Sequence, residues 1–150
     1  MLRFSKMADY GVLLLGHFAR HHDELASATD LSETYHMPRT VVANLLKSFR
    51  EAGLLTSQRG LHGGYRLARD AGSISLLEVL RVVEGPVRLV DCALESTGAL
   101  HTDGQDSCDY VDVCLCRSPM QAVNQKILDL LEGMSLSDLM VEPNPVPTNP

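Results

Sequence analysis

The chain has 150 residues, 45% of them hydrophobic and 21% charged, with four cysteines and a formal net charge of −6. That length supports one compact domain with at most an appended element, and the composition excludes wholesale disorder. Net acidity argues at first against a nucleic-acid partner, but residues 36–69 carry six Lys and Arg against Glu51 alone, while residues 84–150 carry eleven Asp and Glu against three basic residues. A basic middle between acidic flanks is the electrostatic footprint of a local polyanion site. No apolar run reaches the ~18 residues a membrane span needs. The short run Gly11–Gly16 ends at His17 with no small-residue cleavage site beyond it, so the sequence reads as a cytoplasmic chain without membrane association.

Ser5 to about His21 reads as a first helix, with Tyr10, Leu13, Leu14 and Phe18 as its apolar stripe. A second helix opens at Ser27, an N-cap with Asp30 three residues on, and runs to about His36. Pro38 suits the first position of a third helix, in which Val42, Leu45, Leu46 and Phe49 fall at i, i+3, i+4 and i+7 until Gly53 stops it. Only His36-Met37 separates the two helices, which makes them a helix-turn-helix candidate. Leu54–Gln58 then reads as a strand, Arg59-Gly60-Leu61-His62-Gly63-Gly64 as a turn, and Tyr65–Leu67 as a return strand. A hairpin directly after a helix-turn-helix is a wing. Ser75-Leu76-Leu77-Glu78 forms a capping box for a further helix, ended by Gly85-Pro86.

All four cysteines, Cys92, Cys108, Cys114 and Cys116, fall in a polar, acidic segment. A last helix opens at Ser118-Pro119, with Met120, Val123, Ile127, Leu130 and Met134 at three- and four-residue steps, a stripe suited to pairing with a second subunit. The expected fold class is mainly α with a small β wing. Residues 1–86 form a winged helix-turn-helix domain, 87–117 a cysteine-rich loop, 118–140 a dimerisation helix and 141–150 a disordered Pro-rich tail.

The exposed N-terminal face of the third helix offers Arg39, Thr40, Val41, Ala43 and Asn44 to the major groove. Arg can bond guanine, Asn adenine, and Val or Ala can meet a thymine methyl. Arg59 at the wing tip, with His62 nearby, suits a narrow, electronegative minor groove. The cysteines admit four readings: structural disulfides, disfavoured in a reducing compartment; zinc, without the familiar paired C-x-x-C spacing; redox-sensing thiols, opposed by the acidic surroundings; and an iron–sulfur cluster, which needs thiolates on loop. His17, His21 and His22 could serve a cysteine nucleophile, but nothing in the sequence brings them together, and the chain does not read as an enzyme.

Asp9-Tyr10, Arg59-Gly60 with Gly63-Gly64-Tyr65-Arg66-Leu67-Ala68, and Glu84-Gly85-Pro86 before Asp91-Cys92 together resemble the iron–sulfur-sensing winged-helix repressors that include IscR, NsrR and the SUF-system regulators. The resemblance spans about residues 1–140. It implies a homodimeric transcription regulator on a pseudo-palindromic double-stranded DNA operator, acting on iron–sulfur assembly genes. It further implies a cluster, 2Fe–2S favoured and 4Fe–4S possible, on Cys92, Cys108 and Cys114. The alternative is a zinc- or thiol-based regulator without a cluster. Two departures stand out: fifteen residues separate Cys92 from Cys108, more than is usual, and Arg117 stands three residues after Cys114, where IscR has a histidine ligand. For the fourth ligand, Asp9 of the partner subunit is favoured by resemblance to NsrR, with Cys116 as the alternative.

Overall fold

Three serines start three of the helices. Ser5 Oγ accepts from the amides of Met7 and Ala8 and opens α1, Lys6–Arg20. Ser27 opens α2, Ala28–Tyr35, through a full capping box: its hydroxyl accepts from the Asp30 amide while the Asp30 carboxylate accepts from the Ser27 amide. Ser75 opens α4, Leu76–Glu84, by accepting from the Glu78 amide. Here the expected reciprocal half is replaced, because the Glu78 carboxylate pairs with Arg69. The computed structural model describes residues 4–60, 62–88 and 113–140. Its remaining helices are α3, Arg39–Glu51, and α5, Arg117–Gly133. Strands β1, Leu55–Gln58, and β2, Gly64–Leu67, form one antiparallel pair with Leu55 opposite Leu67 and Gln58 opposite Gly64.

The expected inward face of α3 is fully buried: Val42, Leu45, Leu46 and Phe49 pack among Leu14, Leu15 and Phe18 of α1, Leu31 of α2, and Leu54 and Leu55 at the wing's base. Burying each such side chain contributes about 1.5–3 kcal/mol. On α1 the buried set is Ala8, Gly11, Leu14, Leu15, Gly16 and Phe18, whereas Leu13 is exposed. Leu13 lies one position off the inward line, so the stripe predicted to contain it is narrower than expected. A Cβ on Gly11 would come within 2.9 Å of Val83 Cγ2 and 3.1 Å of the Phe49 ring, so α1 packs against α3 and α4 without an intervening side chain.

Helix α5 has two apolar faces. One, Ile127, Leu128 and Leu131, packs on Ala8, Leu77 and Leu80. The other, Met120, Val123 and Leu130, is exposed, so the predicted stripe divides: Ile127 turns inward and these three turn outward. Beyond α5 the chain returns to the winged unit. The Leu76 amide donates to the Met134 carbonyl, the Leu136 amide donates to the Ile74 carbonyl, and Leu136 is fully buried in the main core. No helix among the described residues is long and apolar enough to cross a membrane.

The wing is not a free hairpin. Ala26, in the link between α1 and α2, exchanges two backbone hydrogen bonds with Tyr65 at 3.1 and 2.9 Å. A Cβ on the adjacent Gly64 would meet the Ala26 carbonyl oxygen at 2.8 Å, a clash only backbone movement could relieve. Gly64→Ala is therefore expected to destabilise the fold by about 1–3 kcal/mol, measured by urea unfolding. Gly133→Ala, where no described atom lies within 4 Å, should be neutral or stabilising. A second outcome concerns pH. The Ser27 hydroxyl and amide hold the Asp30 carboxyl below its ordinary 3.8. A depressed carboxylate stabilises the fold above its unfolded value, and that contribution is lost as pH falls through its folded value. The stability difference between wild type and Ser27→Ala should therefore narrow as pH is lowered below 3.8, in unfolding curves taken across that range.

Candidate DNA-binding face and cysteine segment

The turn between α2 and α3 is held from both sides. Helix α2 ends at Tyr35, and His36 takes a left-handed conformation with φ 52°. The Met37 amide then donates to the Ser32 carbonyl at 3.1 Å, and the Ser32 hydroxyl donates to the Met37 carbonyl at 2.7 Å. With Met37 itself buried, the angle between the two helices is set by the core and by this double clamp. Pro38, expected at the first helical position, is instead the N-cap: its ψ of 126° is extended, and its carbonyl accepts from Val41 and Val42. Among the described residues no side chain caps this end of α3. Its first amides, at Arg39 and Thr40, therefore face outward as donors suited to an anion.

Arg39, Thr40, Ala43 and Asn44 are all exposed along this end of α3, with Lys47 one turn further. Val41, grouped with them in the sequence reading, is only partly exposed and packs against the core. It flanks the buried line Val42–Leu45 and so straddles the boundary. At the wing, Gly60 has φ 130°, a conformation suited to glycine, and Arg59 and His62 are exposed on either side of the tip.

The six basic residues of the central segment are not equivalent. Arg69 donates to the Ser73 carbonyl and to Glu78. Lys47 and Arg50 each lie 3.9 Å from Glu51. Among the described residues no carboxylate pairs with Arg39, Arg59 or Arg66. Arg66, which the sequence reading did not single out, alternates along β2 with the inward Tyr65 and Leu67, and that period of two was the signal for it.

Of the predicted cluster ligands, Cys92 and Cys108 lie outside the described residues. Cys114 and Cys116 are free and exposed. Cys116 is the N-cap of α5, with φ −95° and ψ 0°, and the Arg117 amide donates to the Cys114 carbonyl at 3.4 Å. The backbone here turns rather than runs extended, so the alternation that would point side chains two positions apart to one side does not hold. Asp9 is exposed in the first turn of α1, on the wall of a cleft of about 650 Å³ that also borders Leu13, His17 and Leu139. Exposed thiols at the start of a helix are suited in softness and access to iron, and the helix dipole there favours an anionic group.

A helix-turn-helix with a hairpin fixed beside it, both carrying arginines that no described carboxylate pairs, defines a winged-helix DNA-binding protein. Residues 4–142 match the Rrf2 family, described as iron-dependent transcriptional regulators, and the chain belongs to that family. It is accordingly a DNA-binding transcription regulator and not an enzyme. The chain is similar to the structure of CymR, the global cysteine regulator of B. subtilis, with TM-score 0.70, 24% identity and coverage of 93% of this chain and 97% of that one. Against T. potens IscR the TM-score is 0.68 at 25% identity, covering 93% of this chain and 86% of the other. Protein aau3 of Rhizobium meliloti (strain 1021) is 25% identical over 139 residues, 93% of this chain and 85% of that protein.

Because Arg69 is held by Ser73 and Glu78, Arg69→Ala is expected to leave the salt dependence of DNA binding unchanged. It should cost at most about 1 kcal/mol of stability, as an exposed ion pair does. Titrations of duplex DNA across a salt series, beside urea unfolding, check both.

Proposed function

We propose that the chain works as a homodimer on a pseudo-palindromic operator and reports the state of an iron–sulfur cluster, controlling iron–sulfur assembly genes. The observation that carries the DNA reading is the uncapped, unpaired start of α3 beside a wing fixed to the same core. Arg39, Thr40, Ala43 and Asn44 then read the major groove, with Val41 at the edge of that face. Arg59 and His62 enter the flanking minor groove, and Arg66 meets the backbone. The exposed face of α5 supports the dimer: Leu130 is 62% exposed and Val123 45% exposed on a helix whose opposite side is already packed.

Cluster sensing rests on the cysteine pattern, the family's description as iron-dependent and the likeness to IscR. Cys92, Cys108 and Cys114 are the thiolate ligands in this reading, and 2Fe–2S is the favoured cluster. The turned backbone at Cys114–Cys116 disfavours joint ligation by both, which supports Asp9 of the partner subunit over Cys116 as the fourth ligand. A ligand from the partner would make cluster occupancy depend on dimer geometry, and by linkage dimer geometry on occupancy. A regulator using the exposed thiols without a cluster is the alternative, and CymR is a regulator of cysteine in this fold.

With Arg39, Arg59 and Arg66 contributed by each of two subunits, log affinity should fall against log salt with slope about −5. Arg59→Ala should weaken binding most where the flanks are A·T-rich. Arg39→Ala should relax preference at one base position per half-site, costing about 1–3 kcal/mol. Uniform loss across operator sequences in both variants would overturn these roles. Anaerobic reconstitution with iron and sulfide counts tests the sensor. The expected result is a coloured protein in which Asp9→Ala loses or destabilises the cluster and Cys116→Ser keeps it. The reverse pattern reassigns the ligand to Cys116, and a colourless wild type selects the thiol reading.

A further inference from the structure

Helix α1 ends in a group of histidines that the DNA-reading face does not use. His17 and His21 stand four residues apart on one face, with ring centroids 4.7 Å apart and planes inclined by 30°. That is the spacing at which two imidazoles on a helix share one cation. The Nδ1 of His17 is hydrogen-bonded and that of His21 faces a carboxylate just beyond hydrogen-bond distance. His17 Nδ1 is 3.0 Å from the Tyr35 hydroxyl at the end of α2, and His21 Nδ1 is 3.6 Å from Glu24 Oε2. An imidazole that donates from Nδ1 to an oxygen carries its lone pair on Nε2, the arrangement in which outer carboxylates and hydroxyls orient metal-bound histidines. The neighbouring His22 is committed elsewhere, 2.9 Å from Asp23.

Both rings line the 650 Å³ cleft together with Tyr35 and Arg20, so solvent has room beside them. Burial and the neighbouring His21 hold His17 below its ordinary 6.5, against a weaker opposing pull from Glu24. Both effects favour the neutral imidazole at His17, the form a ligand must take. The negative end of the α1 dipole lies here, and Asp23 and Glu24 follow it, with Arg20 as the opposing charge. No third His, Cys, Asp or Glu completes a three-ligand group among the described residues, so solvent fills the other coordination positions.

We propose that His17 and His21 bind one borderline divalent cation, with Zn²⁺ as the probe, through their Nε2 atoms, and that Tyr35 and Glu24 are the outer partners that orient them. A bound ion fixes the tautomer of His17, with Nδ1–H donating to the Tyr35 oxygen. It thereby ties α1 to the residue that precedes the left-handed His36 and the turn into α3. The site uses none of the cysteines and stands or falls independently of the cluster.

The experiment is a calorimetric Zn²⁺ titration of the full chain with its thiols alkylated, so that cysteine cannot compete, beside ¹H–¹⁵N spectra of the histidine rings. One saturable Zn²⁺ per chain is expected, with the His17 and His21 ring signals shifting together. His21→Ala, at an exposed position that leaves the core intact, should abolish this binding, and His22→Ala should retain it. Tyr35→Phe should weaken it about 10- to 100-fold. Unchanged binding in His21→Ala, equal loss in His22→Ala, or no saturable binding in wild type would each overturn the proposal.

Discussion

The backbone exchange between Ala26 and Tyr65 decides where the wing stands. A two-stranded hairpin has little stability of its own in water. This one is held at its base by Leu54 and Leu55 in the core and along β2 by the link between α1 and α2. Because that link also sets the start of α2, hairpin and helix pair share one anchor. Arg59 and Arg39 are consequently carried on a common rigid frame rather than on two independent elements. Gly64 is required because the two backbones approach too closely for any Cβ.

From that frame the electrostatics follow by subtraction. Six cations in the central segment suggest a uniformly basic face, but internal carboxylates occupy three of them. What remains is a sparse set at the helix start and along the wing. A chain of net charge −6 can thus still present positive potential where the start of α3 and the wing lie.

Much of this was legible in the sequence because the signals were local. The Ser27–Asp30 box, the α3 line of Val42, Leu45, Leu46 and Phe49, and the Gly-rich wing turn each depend on residues within a few positions of one another. What escaped the sequence reading depends on partners far along the chain. Ala26 offers no sign that it pairs with Tyr65, nor His17 that it meets Tyr35. Glu78 matches a capping box in spacing, yet Arg69 draws its carboxylate away. Pro38 is compatible with either N-cap or first helical position, and only the backbone angle separates them. On α5 a single stripe was expected because periodicity marks apolar residues without saying which neighbour each will meet. The core took Ile127 and left Leu130 outside.

The return of the chain after α5 has a mechanical consequence. Hydrogen bonds from Leu76 to Met134 and from Leu136 to Ile74, with Leu136 sunk in the core, pin the C-terminal end of α5 to the segment joining wing and α4. The opposite end begins at Cys116. A helix of 17 residues is about 25 Å long, and because Ile127, Leu128 and Leu131 pack it on Ala8, Leu77 and Leu80, the part free to swing is its first two turns, about 10 Å, where a tilt of about 10° moves the end through about 2 Å. Small angular changes near the wing and displacements at Cys116 are thereby geared to one another through a single rigid rod.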